Sequence, residues 1–304
     1  MPFLRKNTFF SRERFLSLRQ VIDEQENDPL GNPRCRISIT LPDAEKTAIF
    51  ISANSPKEAY SRPPEKVQNP NEILQLERYS YNAGAGESYQ ALVRPWVFKK
   101  NDVTFLGTGD HHELYYQLLS SGNSSKDDVL LSFDSHDDAK TNRFPKGDDI
   151  EEITLGNFVR VGVQETIRKV WRDYILIARP QTQTDHSVAT FDQNNLALMP
   201  FTENTQQSLE YVIQLMSYAV TIAKQRKSKV ILTIDLDFFG SFDTIAYNEN
   251  EMKQVLDTIF SFVEKNKKYI RLVHLSESLG YTRDGNHQIQ SIYSVLVQKL
   301  KELS

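Results

Sequence analysis

From Asp102 onward the chain alternates short apolar runs with segments whose apolar residues recur at helical spacing. VTFL precedes HELYYQLLSS, VLLSF precedes GNFVRVGVQETIRKVW and then YILIA, and SLEYVIQLMSYAVTIAKQ precedes VILTI. A helical pattern over 249 to 265 is followed by the strand-like IRLVHL, and a final helical pattern runs from Gln288 to Leu303. Apolar residues on one turn-spaced face mark an amphipathic helix, whereas a short continuous apolar run marks a strand covered on both sides. The βα alternation therefore predicts an α/β fold of three layers, α/β/α, around a mainly parallel central sheet.

The first hundred residues follow another pattern. Residues 35 to 52, CRISITLPDAEKTAIFIS, are two β-prone runs around Pro42 and Asp43, predicted as a hairpin or a pair of early strands. The stretch from about 55 to 100 carries Pro56, Pro63, Pro64, Pro70 and NAGAGES, and is predicted to be an irregular surface excursion of the kind that shapes a substrate site. With 304 residues, 39% hydrophobic and 25% charged, residues 1 to 304 are expected to form a single domain with a substantial core.

Charge and cysteine content narrow the chemistry. A formal net charge of −4 offers no general basic field for a phosphate backbone, so nucleic acid is not an expected partner. Cys35 is the only cysteine, which excludes an internal disulfide and a thiolate zinc cluster and fits a reducing compartment. Arg5, Lys6, Arg12 and Arg14 interrupt the N-terminal apolar residues, and no later run approaches the ~20 residues that span a bilayer. A cytoplasmic protein without membrane attachment is expected, and a homo-oligomer is compatible with it.

Three polar clusters directly follow apolar runs: GTGDHHE (107 to 113), SFDSHDDA (132 to 139) and TIDLDFF (233 to 239). In a parallel α/β sheet such positions gather at the carboxyl ends of the strands, where ligand sites form. Asp134, His136 and Asp138 alternate, so an extended backbone would aim them to one side, and Asp235 and Asp237 would repeat that geometry. Four carboxylates in one pocket repel unless cations occupy it. Two imidazoles and four carboxylates suit two ions, and an oxygen-rich, thiol-free set favours a hard ion such as Mn²⁺ over zinc.

At these residues the chain resembles the arginase, agmatinase and formiminoglutamase (ureohydrolase) superfamily, whose fingerprints are GGDHS, DAHxD and DxD. Asp110 and His111 match the first, Asp134, His136 and Asp138 the second, Asp235 and Asp237 the third. The likeness covers roughly residues 102 to 285 and implies the arginase/deacetylase-like fold. It implies two Mn²⁺ ions, one held by His111, Asp134, Asp138 and Asp235, the other by Asp134, His136, Asp235 and Asp237. FDSHDD followed by TIDLDFF is more similar to a divergent branch containing bacterial peptide arginases of ribosomal-peptide biosynthesis. That resemblance implies a hydroxide bridging the metals, attack on an arginine side chain of a precursor peptide, and conversion to ornithine with release of urea. A small free guanidino compound is the alternative substrate.

The resemblance also implies roles around the metals. Glu277, in VHLSESLG, would grip the guanidinium through paired hydrogen bonds. Asp138 would carry a proton towards the leaving nitrogen, and His186 is a second candidate for that shuttle. His112 and Asn157 are candidate substrate contacts, and His112 would replace His111 as ligand if the turn shifts by one residue. Asp137 is a spare carboxylate, and His274 and His287 read as ordinary histidines. The chain departs from enzymes acting on free arginine: GNFVRVG stands where a GNLHG-like stretch supplies a histidine, placing Phe158 and Val159 there. Lys140 and Asn142 leave the reader of a substrate α-carboxylate unassigned, consistent with a peptide substrate. Two other classes compete: a deacetylase-type amide hydrolase, which would lack a counterpart of His111 and Asp138, and a non-catalytic metal-stabilised binding module.

Overall fold

The computed structural model describes residues 37–39, 63–83, 87–92, 94–122, 124–136, 138, 158–163, 170–177, 205–241, 247–278, 282 and 285–303. Among them the strands are β1 (Ile37–Ile39), β2 (Glu65–Val67), β3 (Arg78–Ala83), β4 (Glu87–Leu92), β5 (Trp96–Lys100), β6 (Val103–Thr108), β7 (Val129–Phe133), β8 (Asp173–Ile177), β9 (Val230–Asp235) and β10 (Ile270–Ser276). The helices are α1 (Glu113–Ser121), α2 (Phe158–Val163), α3 (Thr205–Arg226), α4 (Glu249–Lys265) and α5 (Gly285–Glu302). Seven strands form one sheet in the order β2-β5-β6-β10-β9-β7-β8, and β1-β3-β4 form a second. From β6 to β8 every neighbouring pair of the larger sheet is parallel, while β5 runs antiparallel to β6.

The layers follow from alternation along the strands. Val129, Leu131 and Phe133 of β7 and Val230, Leu232 and Ile234 of β9 join a core with Met216 and Ala219 of α3, Val255 and Ile259 of α4, and Ile292 and Leu296 of α5. Leu130, Ile231 and Leu272 turn to the other face and pack with Leu114 and Tyr115 of α1, Phe158 of α2 and Trp171. Helices thus cover both faces, as consecutive apolar residues in VLLSF and VILTI require. Each such side chain removed from water contributes about 1.5–3 kcal/mol before conformational entropy is counted. Helix α4 starts where the sequence specifies it: Asn248 and Glu251 exchange side-chain-to-backbone bonds in a capping box.

The segment expected to be an irregular excursion contains strands instead. β2 and β5 extend the large sheet, burying Val67, Trp96 and Phe98, while β3 and β4 pair in the small one. Its prolines punctuate rather than forbid structure: Pro63 and Pro64 precede the edge strand β2, where a missing N–H is tolerated, and Pro70 opens a 3-10 turn at a position needing no donor. Of the hairpin expected over 35 to 52, only β1 is among the described residues, and it pairs with β3. The helix expected to follow Asn157 is described over α2 alone.

Strand register assembles the polar clusters. Ser276 stands opposite both Thr108 and Asp235, and Ile234 stands opposite Phe133, so β6, β10, β9 and β7 all end at one edge. Gly107 is forced there by crowding, since a Cβ would lie 2.0 Å from the indole of its cross-strand partner Trp96.

Candidate metal centre

Each polar cluster is a tight turn closed by its own acidic side chain. Asp134 Oδ1 accepts the His136 amide at 2.7 Å, and Asp235 Oδ1 accepts the Asp237 amide at 3.2 Å. Asp138 has φ 45°, a left-handed conformation that aspartate tolerates better than most residues. The extended, alternating backbone expected from Asp134 onward is therefore broken by a turn over 134 to 136. Self-bonding of the aspartate outcompetes strand continuation once β7 has run out of neighbours. The turn delivers the same side chains to one place.

His111 Nδ1 lies 2.9 Å from Asp134 Oδ2, 3.1 Å from Asp138 Oδ2 and 3.2 Å from Asp235 Oδ2. His136 Nδ1 lies 2.8 Å from Asp237 Oδ2 and 3.7 Å from Asp134 Oδ1. Two donor groups result: His111, Asp134, Asp138 and Asp235, and Asp134, His136 and Asp237, with ligand atoms in each within 4.8 Å of one another. Asp134 belongs to both. Asp235, expected in both, stands in the first, where its Oδ2 also accepts the Ser278 hydroxyl at 2.6 Å.

The donor set fits divalent ions on a specific observation. His111 Nδ1 and Asp134 Oδ2 lie 2.9 Å apart and Asp237 Oδ2 lies 2.8 Å from His136 Nδ1, yet all three of His111 Nδ1, Asp134 Oδ2 and Asp237 Oδ2 are buried without an aligned hydrogen bond. Buried polar atoms are nearly always satisfied, and acidic oxygens and ring nitrogens that converge in this way need a cation, or protons in its place, between them. Between them the two groups offer two imidazole nitrogens and carboxylate oxygens, and no thiolate.

The electrostatics show the same demand. Burial, then the charges of Asp237 and Asp134, push the Asp235 carboxyl up to about 7. Burial and the Asp134 charge raise Asp138 well above the carboxylate range, and burial raises Asp237. Burial opposes a charge on His111 and on His136, but the carboxylates around each outweigh it and raise both rings well above the usual histidine range. Asp134 goes the other way: its desolvation is outweighed by the closeness of the His111 and His136 rings, which hold it low. In the absence of ions, protons occupy the cluster; bound ions would displace them.

Around the centre, Phe158 packs its ring 4.8 Å from that of His111. His112 is buried at the start of α1 with its ring edge-on to Tyr116, outside both donor groups. Asn157, His186, Asp137, Lys140 and Asn142 lie outside the described residues, as does the side chain of His287. Glu113, which ends the first polar cluster and carries no signature of its own in the sequence, accepts the Asp110 amide on its Oε1 at 2.9 Å. Burial and the Asp110 charge push it up to about 8, and burial with the Glu277 charge pushes Asp110 up to about 6. Burial, reinforced by neighbouring His111, holds His274 well below the histidine range.

Glu277 has a partner that its motif did not reveal. Its carboxylate is fully buried and bonded at both oxygens by Arg78 of β3, Nη1 to Oε2 at 3.0 Å and Nη2 to Oε1 at 2.6 Å. Arg78 also donates to the Gln90 carbonyl and lies over the Tyr293 ring, 5.5 Å from its centroid. Glu277 therefore binds a guanidinium two-fold, and in this structure that guanidinium belongs to the chain itself.

No family model and no curated protein matches the chain. Solved structures similar to it include arginase from Bacillus cereus, at 15% identity over 64% of this chain and 69% of that one, with a TM-score of 0.43. Helicobacter pylori arginase is 16% identical over 65% of this chain and 72% of that one, with a TM-score of 0.39. The agmatine ureohydrolase of Thermoplasma volcanium is 11% identical over 64% of this chain and 60% of that one, with a TM-score of 0.38.

Proposed function

We propose that this chain is a hydrolase with two divalent metal ions that cleaves a guanidino C–N bond, releasing urea and leaving an amine, with the arginine side chain of a peptide as substrate and ornithine as product. The observation that carries the proposal is the pair of donor groups sharing Asp134, with three buried lone-pair atoms left unsatisfied between them. Their hard, thiol-free donors suit Mn²⁺. Two such ions would supply Lewis acidity and water acidic enough to act as a nucleophile at neutral pH.

The chain's own residues supply the remainder. Asp138, its Oδ2 3.1 Å from His111 Nδ1 at the edge of the first donor group, is placed to take a proton from the attacking water and deliver it to the leaving nitrogen. Glu277 orients a guanidinium through both oxygens, as its bond to Arg78 illustrates, so a substrate guanidinium at that carboxylate competes with Arg78. Ser278, next in sequence, holds Asp235 by its hydroxyl and so ties the guanidinium seat to the metal ligands. Phe158, against His111, keeps that side of the centre dry, which strengthens every charge interaction within it. A peptide substrate is favoured by the small sheet, whose β3 brings Arg78 to Glu277 and whose β4 is the outer strand among the described residues, an edge that an extended chain could run beside.

The test is mass spectrometry of the Mn²⁺-loaded protein incubated with arginine-containing peptides, free arginine and agmatine. The expected result is loss of CN₂H₂ from peptide arginine with stoichiometric urea, abolished in Asp134→Ala. Turnover of free arginine or agmatine alone would replace the peptide assignment, and no loss from any substrate would overturn the hydrolase assignment.

A further inference from the structure

Beneath the first donor group, three fully buried side chains connect a main-chain carbonyl to the ring of His111. The Thr108 hydroxyl donates to the Asp110 carbonyl at 2.8 Å. The same hydroxyl oxygen lies 2.8 Å from His274 Nε2, His274 Nδ1 lies 2.7 Å from Thr233 Oγ1, and Thr233 Oγ1 lies 2.7 Å from His111 Nε2. The strands set this line: His274 of β10 stands in register with Thr233 of β9 and with Leu106 of β6, two residues from Thr108. Its ring lies nearly parallel to that of His111, the centroids 5.7 Å apart.

The direction of every proton follows from the end of the line. A carbonyl oxygen only accepts, so the single Thr108 hydroxyl proton is spent on Asp110. Thr108 Oγ1 must then accept from His274, which places a proton on His274 Nε2. Fully buried, with a hydroxyl at each ring nitrogen and no carboxylate contact among the described residues, the His274 ring has nothing to hold a second proton, so its Nδ1 is bare and accepts the Thr233 hydroxyl proton. Thr233 Oγ1 is left to accept from His111, which places a proton on His111 Nε2. We infer that His274 and Thr233 are positioning residues that lock His111 in the tautomer with its proton on Nε2 and its Nδ1 directed at Asp134, Asp138 and Asp235.

This inference rests on the metal-centre assignment and deepens it. An imidazole ligates through the nitrogen without a proton, and its other N–H is ordinarily fixed by an oxygen acceptor. Here the acceptor is a hydroxyl whose own orientation is dictated two residues further on. A core histidine that merely satisfied its neighbours would leave metal affinity indifferent to the Thr233 hydroxyl.

Two readouts test it. The first is Mn²⁺-binding calorimetry on the full chain, comparing wild type with Thr233→Val, which keeps shape but removes the hydroxyl, and Thr233→Ser, which restores it. The expected result is about 10–100-fold weaker binding of one ion in Thr233→Val with recovery in Thr233→Ser. The second is long-range ¹H–¹⁵N NMR of the metal-free wild type, in which His274 is expected to be neutral with its proton on Nε2. Equal affinity in Thr233→Val, or a His274 proton on Nδ1, would overturn the inference. Absence of Mn²⁺ binding by wild type would overturn the metal-centre assignment instead, leaving the NMR result to decide the tautomer.

Discussion

Replacing Arg78 by methionine removes a guanidinium from a carboxylate that has no exposure to water. Glu277 is 0% exposed and Arg78 20%, so solvent screens the pair little. Breaking a buried, hydrogen-bonded ion pair on one side leaves an uncompensated charge and costs about 3–5 kcal/mol, whereas replacing both partners by apolar residues of similar volume is often nearly neutral. Arg78→Met is therefore expected to lose about 3–5 kcal/mol in urea unfolding, and Arg78→Met with Glu277→Met to return to within about 1 kcal/mol of wild type. Burial raises the Glu277 carboxyl, so the single variant is expected to be more stable at mildly acidic pH, where that group is neutral. Agmatine at saturating concentration is expected to stabilise Arg78→Met more than wild type, because the seat on Glu277 is then open to it. A single variant as stable as wild type, with an unchanged urea slope, would refute the assignment of Glu277 as a buried charge held by Arg78.

Metal and pH are linked with a definite sign. In the metal-free protein Asp235 keeps its proton up to about 7, above its unfolded value, so the folded state binds more protons and its stability falls as pH rises between about 4 and 7. Ions displace that proton, so thermal scans are expected to show the Mn²⁺-induced rise in melting temperature growing over the same window; a rise that shrinks with pH would contradict this. Gly107→Ala would drive a Cβ into the Trp96 indole beside the turn that carries His111, at an expected cost of about 1–3 kcal/mol or more, read by chemical denaturation. At the opposite end of the strands, buried Asp128 accepts the Lys229 amide and pairs with Arg271, so Asp128→Ala is expected to lower stability by roughly 3–5 kcal/mol while leaving metal stoichiometry unchanged, measured by unfolding and by elemental analysis.

The sheet and its covering helices were legible because VLLSF, VILTI and IRLVHL can be only buried strands, and the helical periods between them can cross over in only one economical way. The donor residues were legible because polar clusters at strand ends have few other reasons to be acidic. What the sequence concealed are pairings across long separations. Nothing in RYSYNA identifies Arg78 as the partner of Glu277, nearly two hundred residues away, and nothing in LVHLS separates His274 from an ordinary core histidine. The prolines between 55 and 100 suggested irregularity because proline punctuates strands as readily as it excludes them, and only the buried Trp96 and Phe98 decide between the two. The turns at Asp134 and Asp235 were missed because an alternating pattern predicts an extended chain unless the aspartate bonds its own backbone.

Whether two metal ions share Asp134 is decided by anomalous diffraction at the manganese edge from Mn²⁺-soaked crystals. Two peaks are expected, one among His111 Nδ1, Asp134, Asp138 and Asp235 and one among Asp134, His136 and Asp237. A single peak, or peaks bound away from Asp134, would contradict that sharing.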